Sequence, residues 1–317
     1  MRDRPLVRLL ALSVAIAVLA ASLAGQARPA RAAPWTTPHT PWGDPDFQGV
    51  WNYATMTPLE RPRELAAKSI LTEDEAAEYE RQVIARQSVT NNTAGPDWWD
   101  PGTRRLVNRR ASLIVDPDDG RLPATTEQAR QRAAARAAAR PRGGLADGPE
   151  DLGLNVRCIL WAIAGPPLLP GVYNNNVQFV QTREYVAIVS EMIHDARIVP
   201  MDGRPHGTVP RWMGDSRGHW EGATLVVDTI NFSDKTDLRG AAEHLHLVER
   251  FTRVDADTID YRFTADDPTT WTRAWTAEFP LKKTNQLMYE YACHEGNARS
   301  VEGILRASAV QRVPQEN

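Results

Sequence analysis

The sequence predicts a mainly β protein: a lipocalin-like antiparallel β-barrel with an N-terminal helical and irregular elaboration, or else a β-sandwich. Three observations carry this. From about residue 156 onward, short runs rich in β-branched and aromatic residues recur between turn signals. Inside those runs apolar and polar residues alternate, as expected for a sheet with one buried face. Ile259, Tyr261 and Phe263 oppose Asp260, Arg262 and Thr264, and Trp271, Trp275 and Phe279 oppose Thr272, Thr276 and Glu278. Finally, strands do not alternate with helices, which excludes a Rossmann or TIM-type fold. Closing the sheet into a barrel would remove its edges.

The chain has 317 residues, 42% of them hydrophobic and 24% charged. That balance excludes wholesale disorder, a fibrous chain and a multi-pass membrane protein. Residues 1–32 read as a secretory signal. Arg2, Arg4 and Arg8 precede an apolar run from Leu9 to Ala24, and Ala30-Arg31-Ala32 is a small-x-small cleavage site. Its removal takes away five Arg and one Asp and moves the formal net charge from −3 to −7. An acidic, exported chain is expected to bind no nucleic acid and to make no stable membrane insertion after signal removal. The expected location is periplasmic or secreted.

Residues 33–58 form an extended N-terminal segment and a first strand near Asp46–Trp51. Residues 59–155 are the elaboration. Thr72 and Glu75 make a capping box that opens a helix to about Gln87. Trp98 and Trp99 look like aromatic anchors of a loop. A short strand at 110–115 is stopped by the turn Asp116-Pro117-Asp118-Asp119-Gly120. Thr125 with Gln128 makes a second box, opening an Ala/Arg helix that Pro141-Arg142-Gly143-Gly144 ends. Its Arg132, Arg136 and Arg140 line one face, solvated or anion-binding. Residues 156–317 are the antiparallel core, with strands expected at 177–180, 185–193, 224–232, 245–253, 258–264, 271–279 and 287–294. Asp202-Gly203, Asp215-Ser216-Arg217-Gly218, Asp255-Ala256-Asp257 and Asp266-Asp267-Pro268 supply the turns between them.

Cys158 and Cys293 are the only cysteines. In an oxidising compartment they are expected to pair, closing a loop worth about 4–5 kcal/mol in the chain-entropy model. Two buried free thiols are the alternative.

Several constellations could carry chemistry. Glu191, His194 and Asp195 close an apolar strand, and a carboxylate beside an imidazole suits proton transfer near neutral pH. Structurally, Asp195 could instead cap a turn and pair with Arg197. Glu290 and His294 share a face of the expected last strand and could act as acid and base; in the enzyme reading Glu191 is the base, His194 or His294 the acid, and Tyr185 or Tyr291 a stabilising donor. His244 and His246, at i and i+2, share a strand face and could hold zinc or iron, with Glu243 or His294 as a further ligand. They could equally be polar-face histidines. Tyr173, Asn175, Trp212 and Tyr291 are candidate ligand-binding groups, since Asn amides bind hydroxyls or carbonyls and Trp stacks on rings. The chain's ten tryptophans suit core packing as well as such stacking. No P-loop, Gly-x-Ser-x-Gly elbow or dinucleotide fingerprint is present.

Gly49-Val50-Trp51 followed by an all-β chain resembles the Gly-x-Trp opening of lipocalin-like barrels. The segments PDFQGVWN (45–52), SLIVDPDDGRLP (112–123), GPPLLPGVYNNN (165–176), EMIHDARIVPMDGRPH (191–206) and YEYACHEGN (289–297) are similar to those of a family of exported bacterial hypothetical proteins. That family brings no assigned chemistry with it. Two functions follow as expectations. One is a cofactor-independent acid–base enzyme, a lyase, isomerase or cyclase working on a small organic molecule in a barrel cavity. The other is a non-catalytic binding protein for a hydrophobic or glycan ligand.

Overall fold

Alternating sequence becomes a sheet only where neighbouring strands keep register, and ten strands do so here. The computed structural model describes residues 35–90, 106–139, 146–161, 164–171 and 173–312. The expected signal segment, the Trp98-Trp99 pair and the Pro141–Gly144 stop lie outside the described residues, and so does the side chain of His194. From Thr37 onward the chain belongs to one compact unit.

The strands are β1 (Gly49–Asn52), β2 (Ile114–Asp116), β3 (Asn176–Gln181), β4 (Tyr185–Ser190), β5 (Ala196–Pro200), β6 (Asp215–Glu221), β7 (Thr224–Ile230), β8 (His246–Asp255), β9 (Thr258–Asp266) and β10 (Trp275–Thr284). They form one antiparallel sheet in the order β5-β4-β3-β1-β10-β9-β8-β7-β6, and β2 pairs with β10 off that path. Helices α1 (Glu73–Thr90), α2 (Glu127–Ala139) and α3 (Cys293–Arg312) complete the long elements. The protein is therefore mainly β and antiparallel.

The inner face is packed with rings. Trp51, Phe179, Phe251, Tyr261, Phe263, Trp275 and Phe279 are all buried. Phe179 on β3 meets Phe251 on β8 edge to face, with centroids 5.2 Å apart, although three strands separate them in the sheet. The sheet must therefore curl until its inner faces touch. Phe251 continues to Tyr261 at 4.7 Å and Tyr261 to Phe279 at 5.1 Å. These rings fill the middle of the curl. Each such burial stabilises by about 1.5–3 kcal/mol.

The curl does not close into a barrel. Both β5 and β6 end the ladder, and no backbone pairing joins them. They still come close: a Cβ on Gly218 of β6 would lie 2.8 Å from Val199 Cγ1 and 2.4 Å from Met201 Sδ. The seam is thus closed by side chains and not by hydrogen bonds. Backbone pairing thus does not close the sheet into a barrel, and a sandwich or an open sheet fits the ladder as well as a lipocalin-like barrel does.

Several local expectations also change. Asp215-Ser216-Arg217-Gly218 is not a turn but part of β6; Gly218 is there because Val199 and Met201 occupy the space of a side chain. The actual turn comes at Gly222, in the left-handed region at φ 60°. Residues 287–294 form no strand. The alternation there has no partner strand, and a helix begins at Cys293, where Glu295 in the first turn and the Ala, Arg and Leu that follow favour it. The strand expected at 110–115 is only Ile114–Asp116. The first capping box is present: Glu75 N–H donates to Thr72 Oγ1 and Thr72 N–H to Glu75 Oε2. The second helix is capped by Thr126 Oγ1, which takes the Ala129 N–H at 3.0 Å, and not by Thr125.

Candidate functional site

The ladder registers bring four strand ends to one rim of the sheet. Asn52 lies opposite Asn176, Val177 opposite Ser190, and Val189 opposite Ala196. So β1 and β4 end where β3 and β5 begin. The β4–β5 connection is tight: Glu191 is helical, a 3-10 turn spans Met192–His194, and Ser190 N–H donates to Asp195 O at 2.8 Å. Ile193 sits in the left-handed region at φ 58°, an uncommon place for a β-branched side chain. The strained turn buries Met192 and Ile193 beside Ala164.

Three half-buried rings pack on that small apolar patch: Trp161, Tyr173 and Tyr291. The two tyrosines are near parallel, 11° apart with centroids at 6.4 Å. Trp161 meets both edge-on, at 6.2 and 6.1 Å. What holds two distant chain segments together here is covalent. Cys158 and Cys293 form a disulfide with S–S 2.03 Å and Cα–Cα 5.9 Å, and Asn297 Nδ2 donates to Cys158 Sγ at 3.2 Å.

Glu191 ties the patch to the sheet. It is buried, and both oxygens are used: Oε2 accepts from Asn176 Nδ2 at 2.9 Å and Oε1 from Tyr289 N–H at 3.0 Å. Asn52 Nδ2 donates to Asn176 Oδ1 at 2.8 Å, so the amides and the carboxylate form one chain. Burial pushes the Tyr53 phenol pKa far above its ordinary value, and the charge on Glu191 adds to that. Burial likewise raises Tyr173, helped by its hydrogen bond to Tyr291. Both stay protonated and neutral through the physiological range. Asn175 closes the loop beside them: Gly171 N–H donates to its Oδ1 at 2.6 Å, and its Nδ2 donates to Gly171 O at 3.2 Å.

Glu191, Tyr173, Asn175, Tyr291 and the disulfide, singled out from the sequence, therefore meet at one rim. The other candidates whose side chains are described do not join them. Asp195 is half-buried and lines a cleft of ≈ 10 Å³ with Ser190, Arg197 and Met213. Tyr185 starts β4 at the far end of that strand, where its hydroxyl accepts from Arg204 at 3.4 Å. Trp212 lies before β6, its carbonyl held by Thr236 Oγ1 at 2.8 Å. Glu290 and His294 are exposed; with α3 starting at Cys293, they no longer share a strand face.

The two candidate metal histidines also part. Because β8 begins at His246, His244 stands before the strand, 3.6 Å from Glu243. His246 Nε2 engages Asp228 Oδ2 at 2.7 Å, and the other oxygen of Asp228 engages His206 Nε2 at 2.8 Å. Among the described residues, no group of three or more His, Cys, Asp or Glu is arranged to hold a metal ion. Nor, among them, is any helix long and apolar enough to cross a membrane.

Sequence reasoning passed over Trp161 and Tyr53 at the rim. It also passed over a buried network in the core. Arg197 on β5 reaches Glu249 on β8 with two nitrogens, Nη1 on Oε2 and Nη2 on Oε1, the latter at 3.1 Å. Tyr261 donates to Glu249 Oε1 at 2.7 Å and accepts from Leu168 N–H at 3.1 Å. Arg197 therefore pairs with Glu249 across the curl and not with Asp195. The available signal was Glu249 itself, an ionisable residue in phase with Leu245, Leu247 and Phe251. No family model, curated protein or solved structure matches the chain.

Proposed function

We propose that this is an exported binding protein for a small hydrophobic, ring-bearing molecule, held at the Trp161–Tyr173–Tyr291 rim. The observation that supports it most is that three aromatic rings stay half-exposed on segments fixed by a disulfide. Half-exposed rings gathered in one cluster suit a binding surface, and stapled rings lose little freedom when a ligand arrives. An apolar ligand suits the rim better than a glycan, because the amides of Asn175 and Asn176 are already committed within the protein.

The binding reading is favoured over the acid–base enzyme by the state of Glu191. Its two oxygens already hold N–H donors, and the nearby acid candidates, Glu290 and His294, face solvent. A general base needs an oxygen within reach of the proton it takes. Localisation in the periplasm or outside the cell belongs to the same proposal, supported by the apolar N-terminal run and by the disulfide.

The test is titration with the neutral fluorophore N-phenyl-1-naphthylamine. Saturable binding is expected, weakened about tenfold or more by Trp161→Ala and by Tyr173→Ala, and kept by Glu290→Gln. The proposal fails if the wild-type protein does not saturate, or if both aromatic variants bind as the wild type does.

A further inference from the structure

Away from the rim, residues 58–122 carry a second feature that the binding function does not use. Among the described residues three arginines are buried, each 7% exposed: Arg61, Arg197 and Arg253. Arg197 has the Glu249 carboxylate. Arg253 lies over the face of Trp51, 5.4 Å from its centroid, and donates to the carbonyls of Asp46 and Ala256. Arg61 has neither a carboxylate nor a ring among the described residues. Its guanidinium donates only to Asp118 O at 2.8 Å and Ala66 O at 3.4 Å, and its Nε is buried with no partner. A buried cation is normally paired, because desolvation without an opposing charge is costly.

Arg61 also lines an open cleft of ≈ 440 Å³. That is within the range of about 300–1,000 Å³ typical of small-molecule sites. Arg110, Ser69, Ser112, Asn108 and Asp118 line the same cleft. Arg110 commits one nitrogen to Glu278, at 3.1 Å. A guanidinium carries five N–H donors, so both arginines keep donors beyond those that the protein uses. The wall is also shaped around Arg61. Gly120, at φ 68°, would with a Cβ come within 3.0 Å of Arg61 Nε and Nη2 and 2.3 Å of Ser112 Oγ. The missing side chain lets the guanidinium lie against the turn.

We infer that this cleft is a binding site for a small organic oxyanion, a carboxylate or a phosphate ester, whose charge is met by Arg61 and Arg110. Guanidinium donors match both groups, and the Ser69 hydroxyl and the Asn108 amide line the cleft beside them; the Ser112 hydroxyl already donates to Ile114 O at 3.0 Å. The anion supplies the countercharge that Arg61 lacks among the described residues. The cleft is larger than a bare oxyanion, so the ligand carries a body that rests on Ile70 and Val115, which line the same wall.

The experiment is thermal unfolding of the full chain titrated with succinate and, separately, with inorganic phosphate, against sodium chloride at matched ionic strength. A saturable rise in Tm is expected with one or both anions, and the tighter one identifies the headgroup. Arg61→Gln and Arg110→Gln should each raise the half-saturating concentration about tenfold. Arg110→Gln leaves the contacts of Arg61 in place, so it decides the matter if Arg61→Gln folds poorly. No saturable rise with either anion overturns the inference, as does a rise that Arg110→Gln leaves unchanged.

Discussion

Two buried arginines, one in the sheet and one in the segment that precedes it, show how differently the two regions are built. Arg197 crosses the curl to a carboxylate with no solvent exposure, and Tyr261 takes up a further lone pair. Its charge is cancelled inside the chain. Arg61 is as deeply buried, yet only carbonyls receive its hydrogen bonds. Arg197, Glu249 and Tyr261 thus form a closed hydrogen-bonded network in the sheet, as buried polar groups require. Among the described residues Arg61 has no carboxylate partner, and it lies beside an open cleft.

The comparison breaks most sharply at Glu249. Glu249→Gln leaves Arg197 buried without its countercharge and should cost about 3–5 kcal/mol in urea unfolding. Replacing both partners, Arg197→Met with Glu249→Leu, should restore most of that loss. If Glu249→Gln cost under about 1 kcal/mol, the contrast drawn above would be wrong.

A smaller effect is expected at the seam. Gly218→Ala places a methyl against Val199 and Met201, and Met201 can yield more easily than Val199. The expected cost is about 1–3 kcal/mol, read from the shift in the urea midpoint with an unchanged slope. A neutral outcome would mean that β5 and β6 have room to separate further.

The smallest effect is expected at Arg61. Arg61→Met removes two hydrogen bonds to carbonyls and one unpaired charge, and these oppose each other. Stability in chloride should change by about 1 kcal/mol or less. The gap between wild type and variant should widen when succinate is added, because a ligand stabilises the form that binds it. A loss as large as that of Glu249→Gln would show that Arg61 is a structural group like Arg197, and would sharpen the comparison in the opposite direction.

The sheet was legible because period 2 is a direct record of burial. Ile259, Tyr261 and Phe263 are buried as their spacing requires, and β3, β4, β7, β8 and β9 fall where their runs fall. Closure was not legible: whether β5 pairs with β6 depends on curvature, and no local pattern reports it. Gly218 shows a related limit. A glycine after Asp reads as a turn, but this one is required by side chains about 20 residues away in sequence. Tyr289 to His294 shows another, since alternation without a partner strand makes no sheet. Of the rim, Glu191, Tyr173, Asn175 and Tyr291 could be found because unusual polar and aromatic residues stand near the two cysteines and at the end of an apolar run. Trp161 could not, because one aromatic in an irregular segment carries no periodicity to mark it.

The Cys158–Cys293 bridge has one more consequence, which concerns the connectivity of the chain. The covalent ring that it closes, with a separation of 135 residues, contains β3 to β10 and leaves only β1 and β2 outside. A single backbone cut anywhere between the two cysteines therefore leaves both fragments joined, with the stapled rim still attached to α3. A cut before Cys158 instead frees a piece whose β1 strand sits between β3 and β10, in the middle of the sheet. Of the nine strands on the ladder path, β1 is the one that the bond does not retain, although it pairs with a retained strand on either side.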